Sequence, residues 1–126
     1  MPNLPRSWNF KTGEHLGEYF SDHAATIARL FQENRIITTT QYRKFYDWIL
    51  RQAERAEGIS EEQFQREVLP MVKLLLSKVA YAKTRNNCKQ EFQVLMTKWI
   101  QAVNSKEELR NFKLMMEAIL GFMPKR

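Results

Sequence analysis

The chain has 126 residues and 44% hydrophobic content, which is enough for one compact core. Lys and Arg outnumber Asp and Glu by 20 to 14, and the net charge of +6 favours a polyanionic partner such as nucleic acid, an acidic protein or a membrane surface. The single cysteine, Cys88, excludes an internal disulfide and a cluster of thiolate metal ligands. Neither a signal peptide nor a run of ~18 apolar residues is present, so we expect a cytoplasmic protein with no membrane partner.

The N-terminal residues 1–15 predict an irregular arm, because Pro2, Pro5 and Gly13 lie among polar residues. Within this arm, Trp8 and Phe10 are candidates to dock on the rest of the protein or to contact a neighbour. We expect residues 16–126 to form a single helical bundle domain.

Two helices are predicted in the first half of the domain. The first helix has an apolar stripe and ends near Asn34. The second helix begins near Thr39, because Thr38 and Gln41 form a capping box, and it ends at Gly58. The apolar stripe of the first helix contains Leu16, Phe20, Ala24, Ile27 and Phe31. The predicted buried face of the second helix contains Tyr42, Phe45, Trp48, Ile49, Gln52, Ala53 and Ala56.

A long third helix is predicted to begin at a second capping box, Ser60 with Gln63. Pro70 lies inside this pattern, and a proline removes one helical hydrogen bond and clashes with the preceding turn. We therefore expect the third helix to be kinked or split at Pro70.

The last two predicted helices follow a break at Asn86 and Asn87. The fourth has an apolar face that starts at Cys88, and the fifth begins at Ser105, which caps it with Glu108. Gly121 and Pro124 are predicted to end the fifth helix. No segment alternates in the way that strands do, so the predicted fold is an all-α compact bundle of about five helices with short connections.

A cationic stripe lies beside the buried face of the second helix. Lys44, Arg51 and Arg55 fall within a window of about 40°, whereas Asp47, Glu54 and Glu57 project from the far side. Alternating charges would be expected if the stripe served only solubility. The sorted charges therefore indicate an anionic partner, although an ordinary solvated face is the alternative.

A second stripe follows the end of the third helix. Leu74, Lys78, Tyr81 and Arg85 recur at spacings of four, three and four, so an aromatic ring lies between two cations, with Lys83 and Lys89 close by. For Lys83 and Arg85, favourable interaction with the helix dipole is an alternative explanation. For Tyr81 the alternatives are a ring at the edge of the core or a platform that stacks on a base.

No pattern of an active site is apparent. His15 and His23 are not spaced as a helical metal pair, and Cys88 is expected to be a small buried hydrophobic residue rather than a nucleophile. The four scattered glycines form no phosphate-binding loop. Carboxylate pairs such as Glu61 with Glu62 lie in first turns, where they complement the helix dipole. We expect no enzymatic activity, metal or cofactor.

Three segments carry a resemblance to a known family. TTTQYRKFYD from Thr38, LLLSKVAYAKTRN from Leu74 and FKLMMEAILGF from Phe112 resemble the small helical subunit of type III-A CRISPR effector complexes, the Csm complex. The resemblance implies a helical bundle without catalytic activity, whose copies stack along the guide RNA paired to its target. It also implies backbone contacts through basic side chains, and the matching positions are Arg43, Lys44, Lys78, Tyr81 and Arg85.

The leading hypothesis is a non-catalytic, RNA-binding subunit of a Csm complex in antiviral defence. Its expected partners are guide RNA, target RNA, other protein subunits and further copies of itself. One alternative is a helical adaptor or homodimer that recognises protein through Trp8, Phe10 and Tyr46; another is a DNA-binding regulator whose recognition helix spans residues 38–55. The candidate RNA-binding residues are Arg43, Lys44, Arg51, Arg55, Lys78, Tyr81, Lys83, Arg85 and Lys89.

Overall fold

A computed structural model describes residues 16–124 of the chain. The predicted arm with Trp8, Phe10 and His15 lies outside the described residues. Within them every regular element is helical, so the predicted all-α class is confirmed. The helices are α1 (residues 16–33, with the π-helical turn Tyr19–His23), α2 (Thr39–Ala56), α3 (Glu61–Glu67), α4 (Leu69–Lys73), α5 (Leu75–Thr84), α6 (Gln90–Gln101) and α7 (Lys106–Phe122).

Helix α2 has the predicted start and the predicted buried face. Thr38 Oγ1 accepts a hydrogen bond from the Gln41 N–H at 3.2 Å, and Gly58 follows the helix with a φ of +77°. In an amphipathic helix, the apolar residues form a stripe that packs on the core and the polar residues face solvent. Tyr42, Phe45, Ile49, Gln52 and Ala56 are buried, whereas Trp48 and Ala53 are half-buried.

The predicted third helix is split, as Pro70 indicated. Ser60 caps α3 by accepting a hydrogen bond from the Gln63 N–H at 3.0 Å, and the helix is interrupted at Val68 and again at Leu74. Pro70 lies in the first turn of α4, where its missing N–H leaves no helical bond unmade. The three segments α3, α4 and α5 therefore occupy the place of one predicted helix, and the bundle has about five helical units.

Two details of the last helices differ from prediction. Cys88 lies before α6, in an isolated antiparallel bridge with Ile37, and the Lys89 N–H donates to the Ile36 carbonyl at 2.9 Å. This pairing keeps residue 88 extended, although its side chain is buried as expected. Gly121 does not itself end α7: the helix continues one residue further, to Phe122, and ends before Pro124.

The centre of the bundle is a cluster of aromatic rings from three helices. Phe92 of α6 lies 5.7 Å from Phe31 of α1, and 6.2 Å and 5.4 Å from Tyr42 and Phe45 of α2, measured between ring centroids. The Tyr42 hydroxyl donates to the Met116 carbonyl of α7 at 2.9 Å, so this buried polar group is paired. None of the described helices is long and apolar enough to cross a membrane.

The aromatic cluster predicts that Phe92 contributes strongly to the free energy of unfolding. Phe92→Ala is expected to lower the free energy of unfolding by about 3–5 kcal/mol, because it leaves a cavity among three other rings. Phe122 is 53% exposed, so Phe122→Ala is the matched control and should change that free energy by less than about 1 kcal/mol. Urea denaturation followed by circular dichroism measures both values, and equal losses would contradict the assignment of the core.

Candidate nucleic-acid interface

A cleft of about 570 Å³ lies between α2 and α5. Helix α2 packs mainly on α7 and α5 packs mainly on α6, so the facing sides of α2 and α5 are not in close contact along their length. We call this opening the α2–α5 cleft. The described residues that line it include none with an acidic side chain, and they are Gln41, Lys44, Phe45, Trp48, Arg51, Leu75, Ser77, Lys78, Tyr81, Ala82 and Asn87.

Three of the predicted cations meet in this cleft. Lys44 and Arg51 come from α2 and Lys78 comes from α5, and all three side chains are exposed. The two predicted stripes therefore share a surface. Elsewhere in residues 16–124, basic residues such as Arg29, Arg66 and Lys113 form ion pairs with a glutamate four residues away on the same helix.

Trp48 organises the cations of the cleft. Its indole N–H donates to the Met71 carbonyl of α4 at 2.9 Å, which fixes the ring. Lys78 Nζ lies 4.5 Å from the ring centroid and Arg51 Cζ lies 5.4 Å from it. The negative face of an aromatic ring attracts cations, so one ring holds together two positive groups that repel each other. An anion that enters the cleft would relieve this repulsion.

Tyr81 and Arg85 form a second aromatic and cationic pair. The Tyr81 side chain is 62% exposed, so it is a surface ring and not a ring at the edge of the core. Arg85 Cζ lies 5.5 Å from the Tyr81 ring centroid, and Arg85 Nη1 donates to the Tyr81 hydroxyl at 3.0 Å. Tyr81 lines the α2–α5 cleft, and its contact with Arg85 holds this cation beside the cleft.

Arg43 and Arg55 are among the predicted site residues that do not line this cleft. Arg55 donates to Gln52 Oε1 at 2.9 Å and to the Glu67 carbonyl at 3.4 Å, so it is turned towards the end of α3. Arg43 is exposed, but a step of one residue turns about 100° around a helix, so Arg43 does not share the direction of Lys44.

Lys83 and Lys89 line a second opening of about 470 Å³, which we call the junction cleft. It lies where the ends of α1 and α5 meet beside the Ile37–Cys88 bridge, and Asn87 lines both clefts. Arg35 also lines the junction cleft. Sequence reasoning missed Arg35, because this residue falls in a connection, where helical periodicity does not apply.

The role of Trp48 was also missed, but a signal for it existed. Trp48 lies three residues before Arg51 and four residues after Lys44, and residues at these spacings are neighbours on a helix surface. The predicted position of Trp48 on the buried face is only half right, because the structure leaves one part of the ring in the α2–α5 cleft.

Two groups with shifted pKa values have structural explanations: Cys88, which lines the junction cleft, and Tyr46, which lies outside both clefts. Burial raises the pKa of the Cys88 thiol, and the nearby charge of Lys83 only partly opposes this effect, so the thiol stays protonated at neutral pH. Tyr46 donates to Glu117 Oε1 at 3.2 Å, and burial together with this carboxylate raises the pKa of Tyr46 to about 12. The Tyr46 ring is thus held against α7.

Comparison with protein families identifies a match over most of the chain. The model of a protein family described as Csm2 Type III-A matches residues 14–123. No curated protein and no solved structure matches the chain. The matched range contains every helix described above and both clefts.

The contacts of Trp48 allow a test that separates the positions of the cations from their charge. Trp48→Leu is expected to weaken binding of the chain to oligouridylate RNA by about fivefold, because cation–π contacts hold Lys78 and Arg51 in place. The slope of log affinity against log salt should not change, because every cation is still present. Fluorescence anisotropy over a salt series measures both quantities.

Tyr46→Leu is the matched control, since it removes an aromatic ring of α2 that lies outside the α2–α5 cleft. It should leave RNA affinity within about twofold, because no phosphate contact depends on it. An unchanged affinity in Trp48→Leu would contradict the positioning role.

Proposed function

The chain belongs to the Csm2 Type III-A family, the small subunits of type III-A CRISPR complexes, and from this premise we propose that it is a non-catalytic RNA-binding subunit in antiviral defence. The proposed ligands are the sugar-phosphate backbones of guide RNA and target RNA. The proposed binding surface is the α2–α5 cleft, and the complex is proposed to be cytoplasmic.

One observation carries the RNA-binding part of this proposal. Lys44 and Arg51 from α2 and Lys78 from α5 share one cleft, and none of the described residues lining it is acidic. Cations from two separate helices therefore line the same groove. Such a groove suits a polyanionic strand better than it suits a small isolated anion.

The chemistry of the cleft supports contacts to phosphates. Lys and Arg pair with phosphate oxygens and release condensed counterions, which supplies affinity without reading sequence. A subunit that contacts only the backbone serves any guide sequence, because base pairing between guide and target reads the sequence. Tyr81 adds an exposed ring beside the strand, where stacking tolerates any base.

The small number of contacts in one subunit supports a role in an assembly. Each phosphate contact adds ~0.7 to 0.9 to the magnitude of the salt slope, so three or four contacts give weak binding near physiological salt. Several copies on one RNA would raise the effective concentration of each successive contact. Membership of the family implies association with other Csm subunits, and we propose that copies of this chain also associate along the RNA.

Charge reversal in the cleft tests this function. In the assembled complex, the triple substitution Lys44→Glu, Arg51→Glu and Lys78→Glu should weaken RNA binding at least about tenfold and flatten the salt slope by ~0.7 to 0.9 per lost contact. Filter binding with radiolabelled target RNA measures the loss. Circular dichroism of the isolated chain should stay helical, because all three side chains are exposed.

Arg29→Glu, Lys98→Glu and Arg110→Glu provide a control with the same change of net charge, at exposed positions outside the α2–α5 cleft. This control should keep its RNA affinity within about threefold, because only long-range electrostatics change. RNA binding that survives the cleft substitutions refutes the proposal. If, in that case, nuclease treatment does not reduce the recovery of protein partners, the result favours a protein adaptor.

A further inference from the structure

The ends of α1 and α5 have the same backbone geometry and lie side by side. After α1, the Ile36 N–H donates to the Phe31 carbonyl at 2.9 Å and the Arg35 N–H to the Gln32 carbonyl at 3.2 Å. After α5, the Asn87 and Asn86 N–H groups donate to the Ala82 and Lys83 carbonyls at 2.8 Å and 3.0 Å. Both pairs of bonds define a Schellman motif, and the Ile37–Cys88 bridge joins the two ends.

Arg35 is an unusual residue for its position in this motif. The motif requires a left-handed backbone, which glycine adopts at no steric cost and asparagine tolerates. Asn86 follows this preference with a φ of +61°, whereas Arg35 has a φ of +52° and carries a long side chain. A strained residue that persists at an exposed position points to a use for its side chain.

The junction cleft gives the Arg35 side chain a positive environment. Lys83 and Lys89 line the same opening, and Glu91 is the carboxylate among its lining residues. Lys89 Nζ donates to the Asn34 carbonyl at 2.7 Å, which leaves two of its three donors for a ligand. Three cations therefore face one carboxylate, and the net charge of the opening is positive.

We propose that the junction cleft binds a further phosphodiester of the RNA strand that occupies the α2–α5 cleft, with Arg35 as its main ligand. This inference rests on the proposed function. The two clefts share Asn87, and Lys78 and Lys83 are separated by about 7.5 Å of helix rise along α5. The same five residues also turn about 140° around α5, so a strand that contacts both clefts passes around the end of this helix at Asn87.

Arg35→Gly gives opposite results for stability and for binding. Glycine relieves the left-handed strain, so the Tm of the full chain should be unchanged or rise by about 2–4 °C. Affinity for oligouridylate should fall at least about threefold at roughly 50 mM salt, and the salt slope should flatten by ~0.7. Differential scanning fluorimetry and fluorescence anisotropy measure the two effects. If Arg35 had only a structural role, an Arg35→Gly variant that keeps its stability would also keep its RNA affinity.

Two control variants separate the effect of the lost charge from the effect of the relieved backbone strain. Arg35→Lys keeps the charge and the strain, so its salt slope should match that of the unchanged chain. Asn86→Gly makes the same backbone change at the end of α5 without altering charge, so its Tm should also be unchanged or higher and its salt slope unaltered.

The outcomes distinguish this inference from the proposed function. If reversal of Lys44, Arg51 and Lys78 abolishes RNA binding and Arg35→Gly keeps full affinity and slope, the junction site is refuted and the proposed function stands. If neither set of substitutions affects RNA binding, both are refuted. A flatter slope of log affinity against log salt in both Arg35→Gly and Asn86→Gly would also overturn the inference. The change of backbone alone would then explain the flatter slope.

Discussion

The indole ring of Trp48 is the contact on which the arrangement of the cleft depends. It belongs to α2, donates to a carbonyl of α4 and lies under the ammonium group of Lys78 in α5. One side chain of α2 therefore contacts both α4 and α5. Met71, which accepts this hydrogen bond, lies in α4 just before the interruption of the helix at Leu74, and α5 beyond it packs mainly on α6.

Much of the fold could be predicted from the sequence, because local chemistry decides where these helices begin. The hydroxyls of Thr38, Ser60 and Ser105 each accept a backbone hydrogen bond at the start of a helix, and Pro70 marks the broken segment. The errors lie where tertiary contacts prevail over local preference. Cys88 is extended because it pairs with Ile37 on a distant part of the chain, whereas the end of α7 differs from its predicted position by a single residue.

The candidate site could be predicted only in part. Periodicity shows which residues share one face of one helix, and it correctly grouped Lys44 with Arg51 and Lys78 with Tyr81. It does not show how two helices are oriented, so it gave no reason to separate Arg55, whose guanidinium is turned towards Glu67 by hydrogen bonds. Connections such as the one at Arg35 have no period, and only the folded chain reveals which surface they join.

The burial of Cys88 has a practical consequence. Because the chain has a single cysteine and its thiol is buried and protonated, it reacts slowly with maleimides. A new cysteine at an exposed surface position therefore becomes the dominant reactive thiol without removal of the native one. Fluorophores or spin labels can be attached beside either cleft in this way, and the distances between labelled copies can be followed as an assembly forms.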